Sequence, residues 1–516
     1  MVPKVNSIHK IFSKKNELYL LLFFISISVL WKAYLVSRPY QFQISQFLAD
    51  DAFYYFQLAR NAAEGFIFTA DRINNTNGFT FLYFILTTII AFFIDDTAEY
   101  ILVVHLINTI LSVIAVYFIY KALIDFHPLS RWFTILFLLF NPYMVFISLI
   151  GVDASVQFFF VAIFIYVFKN SIKNSNVSLL FCIILPLTFL ARSDAVFLVC
   201  YSAFAYFLLK IEKWKELIVK ISLFSFLILL PWFSMSIYYT GKIAQDSFLG
   251  ISLRHRVLLD SQNLLFDSTS AINYFVKLVN VLFHSPFFLV VFLVFSIYIL
   301  VAGKLKNTLK SDCLFYVALI SLLTTIFYYG FIFQYRQYWY LNLPLILTAC
   351  ICGYLIEFVL RGGTQKYKNY MTVILLIIIV SYTGFSFNQN YNLRNKKLNF
   401  WQAQYYETAI KLHKEHPEIK KIGAFNSGIY SYFSKITVIN LDGVVNSAVL
   451  PFLKEKKLDT YLKKEGIEYI LDHEKGLDSS FEHFSEEKIK YKVIQRTKCY
   501  APWGGDLLLI KLEQGL

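Results

Sequence analysis

Runs of roughly 20 apolar residues recur along most of this chain, and no other feature restricts its fold as strongly. Such a run matches the ~30 Å hydrocarbon thickness of a bilayer at about 1.5 Å of helical rise per residue. In hydrocarbon every backbone N–H and C=O must be satisfied within the chain, so the runs read as membrane-spanning helices. The spans expected are Leu18–Val36, Ala98–Tyr120, Trp132–Ile150, Ala154–Phe168, Val177–Leu190, Ala195–Leu209, Leu217–Tyr238, Val281–Val301, Asp312–Phe333, Trp339–Leu360 and Tyr370–Phe387. A further apolar stretch, Gly78–Ile94, reads as a re-entrant or interfacial helix. The first span follows Lys4, Lys10, Lys14 and Lys15, but it is too long for a signal sequence and no small-residue cleavage site follows, so it is read as retained.

Charge decides the orientation. With eleven spans and a cytoplasmic N-terminus, the inner loops collect Lys121, Lys169, Lys173, Lys210, Lys213, Lys215, Lys220, Lys304, Lys306, Lys310, Lys366 and Lys368. That is the positive-inside pattern, and counting Gly78–Ile94 as a span would invert it for every later loop. The net charge of +14 is thus accounted for by loop lysines and implies no nucleic-acid partner. The six cysteines form no disulfide framework.

Arginines follow a different rule. Arg38, Arg60, Arg72, Arg192, Arg254, Arg256 and Arg336 all fall on the outer side, where Lys is scarce. Arg offers a planar fork that grips phosphate or carboxylate at two points. Any one of them can be explained by an ion pair or by snorkelling, and His255, between Arg254 and Arg256, by a solvated face. Together they suggest an outward-facing anionic ligand at headgroup depth. Directly after the first span, Asp50 and Asp51 open an aromatic-rich helical segment. An N-cap and a first-turn acid would explain them; a general base for a hydroxyl acceptor is the functional alternative.

The tail from Asn388 is mixed and charged. Helices are expected at Trp401–His413 and Leu458–Glu465, and strands at Ile422–Phe425, Ile436–Leu441, Ile467–Leu471 and Asp506–Leu512. The organisation is an α-helical polytopic membrane module over residues 1–387, with an extracytoplasmic α/β domain over 388–516. The tail carries no Gly-rich phosphate loop, metal-spaced Cys/His cluster or nucleophile elbow.

Several motifs carry a resemblance. Asp50-Asp-Ala-Phe, then Ala59-Arg-Asn, Glu64-Gly and Asn77-Gly-Phe, resembles the first outer loop of the GT-C superfamily of integral membrane glycosyltransferases. The nearest branch is the bacterial envelope enzymes that include cell-wall arabinofuranosyltransferases. Asn141-Pro, Gly151-Val-Asp153-Ala, Leu190-Ala-Arg192-Ser-Asp194, Tyr335-Arg336-Gln-Tyr-Trp, Asn426-Ser-Gly428 and Leu441-Asp442-Gly-Val-Val-Asn446 are similar to later motifs of that branch, in order and sidedness. The resemblance implies an inverting transferase that takes a sugar from a polyprenyl-phosphate donor. Its acceptor would be a glycan, glycolipid or protein at the outer face of the bacterial cytoplasmic membrane. It further implies Asp50 or Asp51 as general base, with Asp50 preferred, and Asp153 as a second acid. Arg192, Arg254, His255, Arg336 and Asn77 would hold the lipid phosphate or sugar, and a divalent metal is left open. The chain departs from the branch at Thr80-Phe81, in place of His-Pro, and at Ala244-Gln-Asp246, in place of Pro-Asn-Thr.

Three other functions were weighed. A transporter or flippase of lipid-linked sugars calls for ionisable groups at midplane depth or two related halves, and the acids here lie at outer loop ends. A polysaccharide polymerase or ligase calls for a long central outer loop, whereas Thr240–Lys277 is modest. A non-catalytic scaffold would be indifferent to Asp50 and Asp51.

Overall fold

The computed structural model describes residues 14–173, 176–261, 268–283, 313–333, 337–361, 365–395, 400–501 and 505–513. Seven of its helices are long and apolar enough to cross a membrane: Lys15–Val36, Thr97–Ala122, Ala154–Lys173, Trp214–Thr240, Cys313–Phe333, Tyr338–Arg361 and Lys368–Leu393. Tyr338–Arg361 is the most enclosed of them, with 94% of its apolar window buried. The last continues through Asn388 to Leu393, beyond the expected end at Phe387.

The expected span Trp132–Ile150 is broken into Pro128–Phe140 and Pro142–Leu149, bent by 46°. Pro142 cannot supply the N–H that a continuous helix needs. The Asn141 side chain restarts the helix by accepting from the N–H groups of Tyr143 (2.9 Å) and Met144 (3.2 Å). Two expected spans form shorter helices, Leu179–Ala191 and Ser193–Leu209. The first has 13 residues, about 20 Å of rise against a ~30 Å core. Most of Val281–Val301 lies outside the described residues. Within Gly78–Ile94 the helix is Phe81–Ala91, 11 residues, and it packs against the helix Asp50–Ala63.

The C-terminal domain is a five-stranded mixed sheet. Its strands are β1 (Lys421–Ala424), β2 (Thr437–Asn440), β3 (Tyr469–His473), β4 (Tyr491–Thr497) and β5 (Leu507–Leu512), in the order β2-β1-β3-β5-β4. The β1 strand runs parallel to β2 and β3, while β5 is antiparallel to β3 and β4. Buried apolar residues of β3 and β5 pack with Leu477 and Phe481 of the helix Glu474–Phe484. Neither that helix nor β4 was expected. The β4 strand is half-exposed throughout and lacks the apolar run that marks its neighbours.

This domain is interlocked with one end of the helix bundle. Tyr40 stacks on Phe433 at 5.9 Å, Arg60 Nε donates to the Tyr432 hydroxyl at 2.8 Å, and Ser447 N donates to the Asn75 carbonyl at 3.0 Å. Gly78 permits the closest approach: a Cβ there would lie 1.7 Å from the Val444 carbonyl oxygen.

Candidate active site

The helix Asp50–Ala63 lies beneath the C-terminal domain and opens with both acids in its first turn. Successive residues on a helix point about 100° apart, so the two carboxylates diverge. Asp50 accepts from the backbone N–H groups of Ile429 (2.7 Å) and Gly428 (3.2 Å). Asp51 lines an internal cavity of about 290 Å³. Burial pushes each carboxyl up to about 7. The two backbone donors oppose that rise at Asp50; at Asp51 the neighbouring Asp50 charge adds to it and Arg254 opposes it.

Arg192 and Asp194 reach the same cavity from the turn after the helix Leu179–Ala191, and Asp153 from the turn before Ala154–Lys173. The Arg192 backbone is extended (φ −169°, ψ 130°), which ends the helix. Its Nη1 lies 3.2 Å from Asp153 Oδ1 and its Nε 3.2 Å from Asp194 Oδ2. Nη1 also donates to the Trp339 carbonyl, and the guanidinium covers the Tyr340 ring at 4.6 Å. Nη2 has no hydrogen-bond partner among the described residues. Asp194 is fixed in turn by the Tyr329 hydroxyl at 2.6 Å and by Gln157 Nε2. The Tyr55 hydroxyl bridges Asp153 (3.5 Å) and Thr80 (3.2 Å). Burial raises the Asp153 carboxyl above the usual carboxylate range, and the Arg192 guanidinium opposes the rise.

The remaining sequence candidates lie elsewhere. Arg254 sits on the helix Asp246–Ser261 and pairs with Asp442 at 3.4 Å. Asp442 also accepts from Val444 N at 2.9 Å, as a turn residue does. Neither Arg254 nor His255 lines the cavity. Arg336 lies outside the described residues. The idea of a common outward arginine set narrows accordingly. Arg38 donates to the Arg394 carbonyl, Arg60 to Tyr432, and Arg72 pairs with Glu64, so these three serve the protein's own structure.

Asn77 is corrected from a substrate contact to a buried staple. Its Oδ1 accepts from Asp246 N (2.8 Å), while its Nδ2 donates to Ser236 Oγ (2.6 Å) and the Ala244 carbonyl (3.1 Å). No polar atom is left for a ligand. Asp246 completes the hub, accepting from Thr76 Oγ1 (3.0 Å), Asn77 N (3.1 Å) and Ser447 Oγ, and pairing with Lys242 (3.2 Å).

Beside the polar cavity is a smaller apolar one of about 260 Å³, walled by Phe81, Phe189, Trp232 and Phe233. The two share Thr80, Ser193, Gln245 and Phe248. Thr80 and Gln245 belong to the two segments where the chain departs from the resembled branch. Among the described residues no group of three His, Cys, Asp or Glu side chains is arranged to hold a metal ion. Asp51 and Asp153 thus share a cavity with Arg192, while Asp50, Asn77, Arg254 and His255 do not line it. Sequence reasoning missed Tyr55 and Val444 as cavity residues; a lone Tyr or Val among so many aromatic and apolar residues gives no signal.

Residues 392–508 match a family model described as a domain of unknown function, DUF8728. No curated protein matches the chain by sequence. Solved structures do. ArnT from Cupriavidus metallidurans bound to undecaprenyl phosphate is similar with a TM-score of 0.57 at 9% identity, over 95% of this chain and 98% of that one. An oligosaccharyltransferase from Archaeoglobus fulgidus, in complex with Zn and sulfate, is similar with a TM-score of 0.54 at 12% identity, over 94% of this chain and 72% of that one. From end to end, this chain has the GT-C fold.

Proposed function

We propose that the protein is a membrane glycosyltransferase that moves a sugar from a polyprenyl-phosphate donor to a hydroxyl acceptor at the outer face of the membrane. The observation that carries this reading is the placement of Asp51. A buried carboxylate with its pKa near neutrality lines a cavity with Arg192, and an apolar pocket adjoins it. The sugar would occupy the polar cavity and the first isoprene units the apolar one, with the phosphate between them near Thr80, Gln245 and Arg192.

In this mechanism Asp51 takes the proton of the acceptor hydroxyl as its oxygen bonds to the anomeric carbon. The anomeric C–O bond to phosphate breaks on the opposite face, so configuration inverts and polyprenyl phosphate leaves with one more negative charge. Arg192, kept charged and oriented by Asp153 and Asp194, offers Nη2 to that developing charge. Asp51 replaces Asp50 as the preferred base because the Asp50 oxygens are occupied by backbone donors. The ArnT structure with undecaprenyl phosphate supports the choice of donor class.

The test is product stereochemistry. Purified full-length protein is offered α- and β-linked polyprenyl-phosphate sugars, and the product linkage is read by NMR. An inverted linkage from one donor supports the proposal; a retained linkage, or transport of the intact donor without cleavage, contradicts it.

A further inference from the structure

Two adjacent acids do different things here, and the difference points beyond the cavity. Asp50 is not an N-cap of its own helix, since Ala49 occupies that position and no side chain caps the turn. Its carboxylate instead crosses to the C-terminal domain and accepts from Ile429 N at 2.7 Å and Gly428 N at 3.2 Å. The contact surface is closed. A Cβ at residue 428 would lie 2.2 Å from the Asp50 carbonyl oxygen and 3.0 Å from its carboxyl carbon. One turn along, the Tyr54 hydroxyl accepts from Ser427 N at 3.1 Å, and Tyr54 lines the cavity beside Asp51. Val444 of the same domain forms part of the cavity wall.

We infer that Asp50 and Gly428 are positioning residues: their clamp between the C-terminal domain and the helix Asp50–Ala63 fixes the direction in which Asp51 faces the cavity. The inference rests on the proposed transferase reading. A carboxylate displaced by about 1 Å can lose on the order of 10²-fold in rate, and a first helical turn held only by its own backbone frays. The clamp removes that freedom at the residue next to the base. It also makes the C-terminal domain a working part of the site. The groups facing Asp51 are Asp50, Asp442, Asp153 and the opposing Arg254, so Asp50 influences the base by charge as well as by geometry.

The two influences separate by mutation. Asp50→Asn keeps the shape and removes the charge; Gly428→Ala keeps the charge and wedges the clamp apart. Both are made in the full chain in nanodiscs and assayed with the synthetic polyprenyl-phosphate sugar that wild type turns over. Thermal unfolding and donor binding serve as checks on folding. Both variants are expected to lose at least roughly 10-fold in kcat, with donor KM within about twofold. In Asp50→Asn the acid limb of the kcat profile moves to lower pH, because the neighbouring negative charge that raised Asp51 is gone. In Gly428→Ala that limb stays in place. If Gly428→Ala does not fold, Asp50→Asn decides through kcat and the acid limb together. Folded variants with wild-type kcat and an unmoved acid limb overturn the inference and leave the transferase reading intact. A wild type that turns over no donor overturns both.

Discussion

Arg192 and Asp153 meet at 3.2 Å across the cavity wall although 39 positions separate them in the chain. Asp194 holds the same guanidinium at Nε, also at 3.2 Å. All three side chains are nearly inaccessible to water, so the arrangement is a buried, acid-rich triad. Removing one partner of a buried pair leaves uncompensated charge and costs about 3–5 kcal/mol. Arg192→Ala is therefore expected to lower thermal stability markedly. Arg192→Lys, which keeps charge but loses the planar fork, should fold and lose roughly 10²-fold in kcat. Parallel unfolding and turnover measurements check both.

Activity and stability should respond to pH in opposite directions. A base must be deprotonated, so turnover is expected to rise as pH passes through about 7, where burial places Asp51. The same shift has the reverse effect on folding. The folded pKa lies above the unfolded one, near 4, so the stabilisation is complete below pH ~4 and is lost as pH rises through about 7. Melting curves from pH 5 to 8 should show stability falling, with a shallower slope in Asp51→Asn.

Asn77 is expected to behave as a structural residue. Asn77→Ala strands the Asp246 N–H, the Ser236 hydroxyl and the Ala244 carbonyl in a buried site. Each orphaned group costs about 1–3 kcal/mol. Expression and melting temperature should fall, with donor KM unchanged in the protein that survives.

Gly78→Ala probes the seam between domain and bundle. Its Cβ would overlap the Val444 carbonyl oxygen at 1.7 Å, and overpacking of this kind costs about 1–3 kcal/mol. The expected result is faster proteolysis around residues 395–400 together with weakened turnover, because Val444 belongs to the cavity wall.

These residues also mark how much could be read before the structure. The long spans were legible because hydrocarbon demands length and apolarity, both of which are local in sequence. Leu179–Ala191 and Ser193–Leu209 were read as full spans because apolar composition continues where the helix stops, at the extended Arg192. The break at Asn141-Pro142 was visible as a motif but not as a bend. Within the site, Asp51, Asp153 and Arg192 were identified from residue type and loop position. Asp50 was preferred over Asp51 because nothing local distinguishes adjacent acids. Their roles separate only through Gly428 and Ile429, more than 370 positions away in the chain. Asn77 was misread for the same reason, since its partners lie in a loop about 160 residues downstream.

The most direct measurement is release of polyprenyl phosphate from a panel of synthetic lipid-linked sugars, with wild-type protein beside Asp51→Asn, using envelope glycan and lipid fractions as acceptors. The account predicts release from one donor with matching sugar incorporation, reduced by roughly 10²–10⁴-fold in Asp51→Asn while donor binding persists. Equal release by wild type and Asp51→Asn, or no release from any donor, would contradict it.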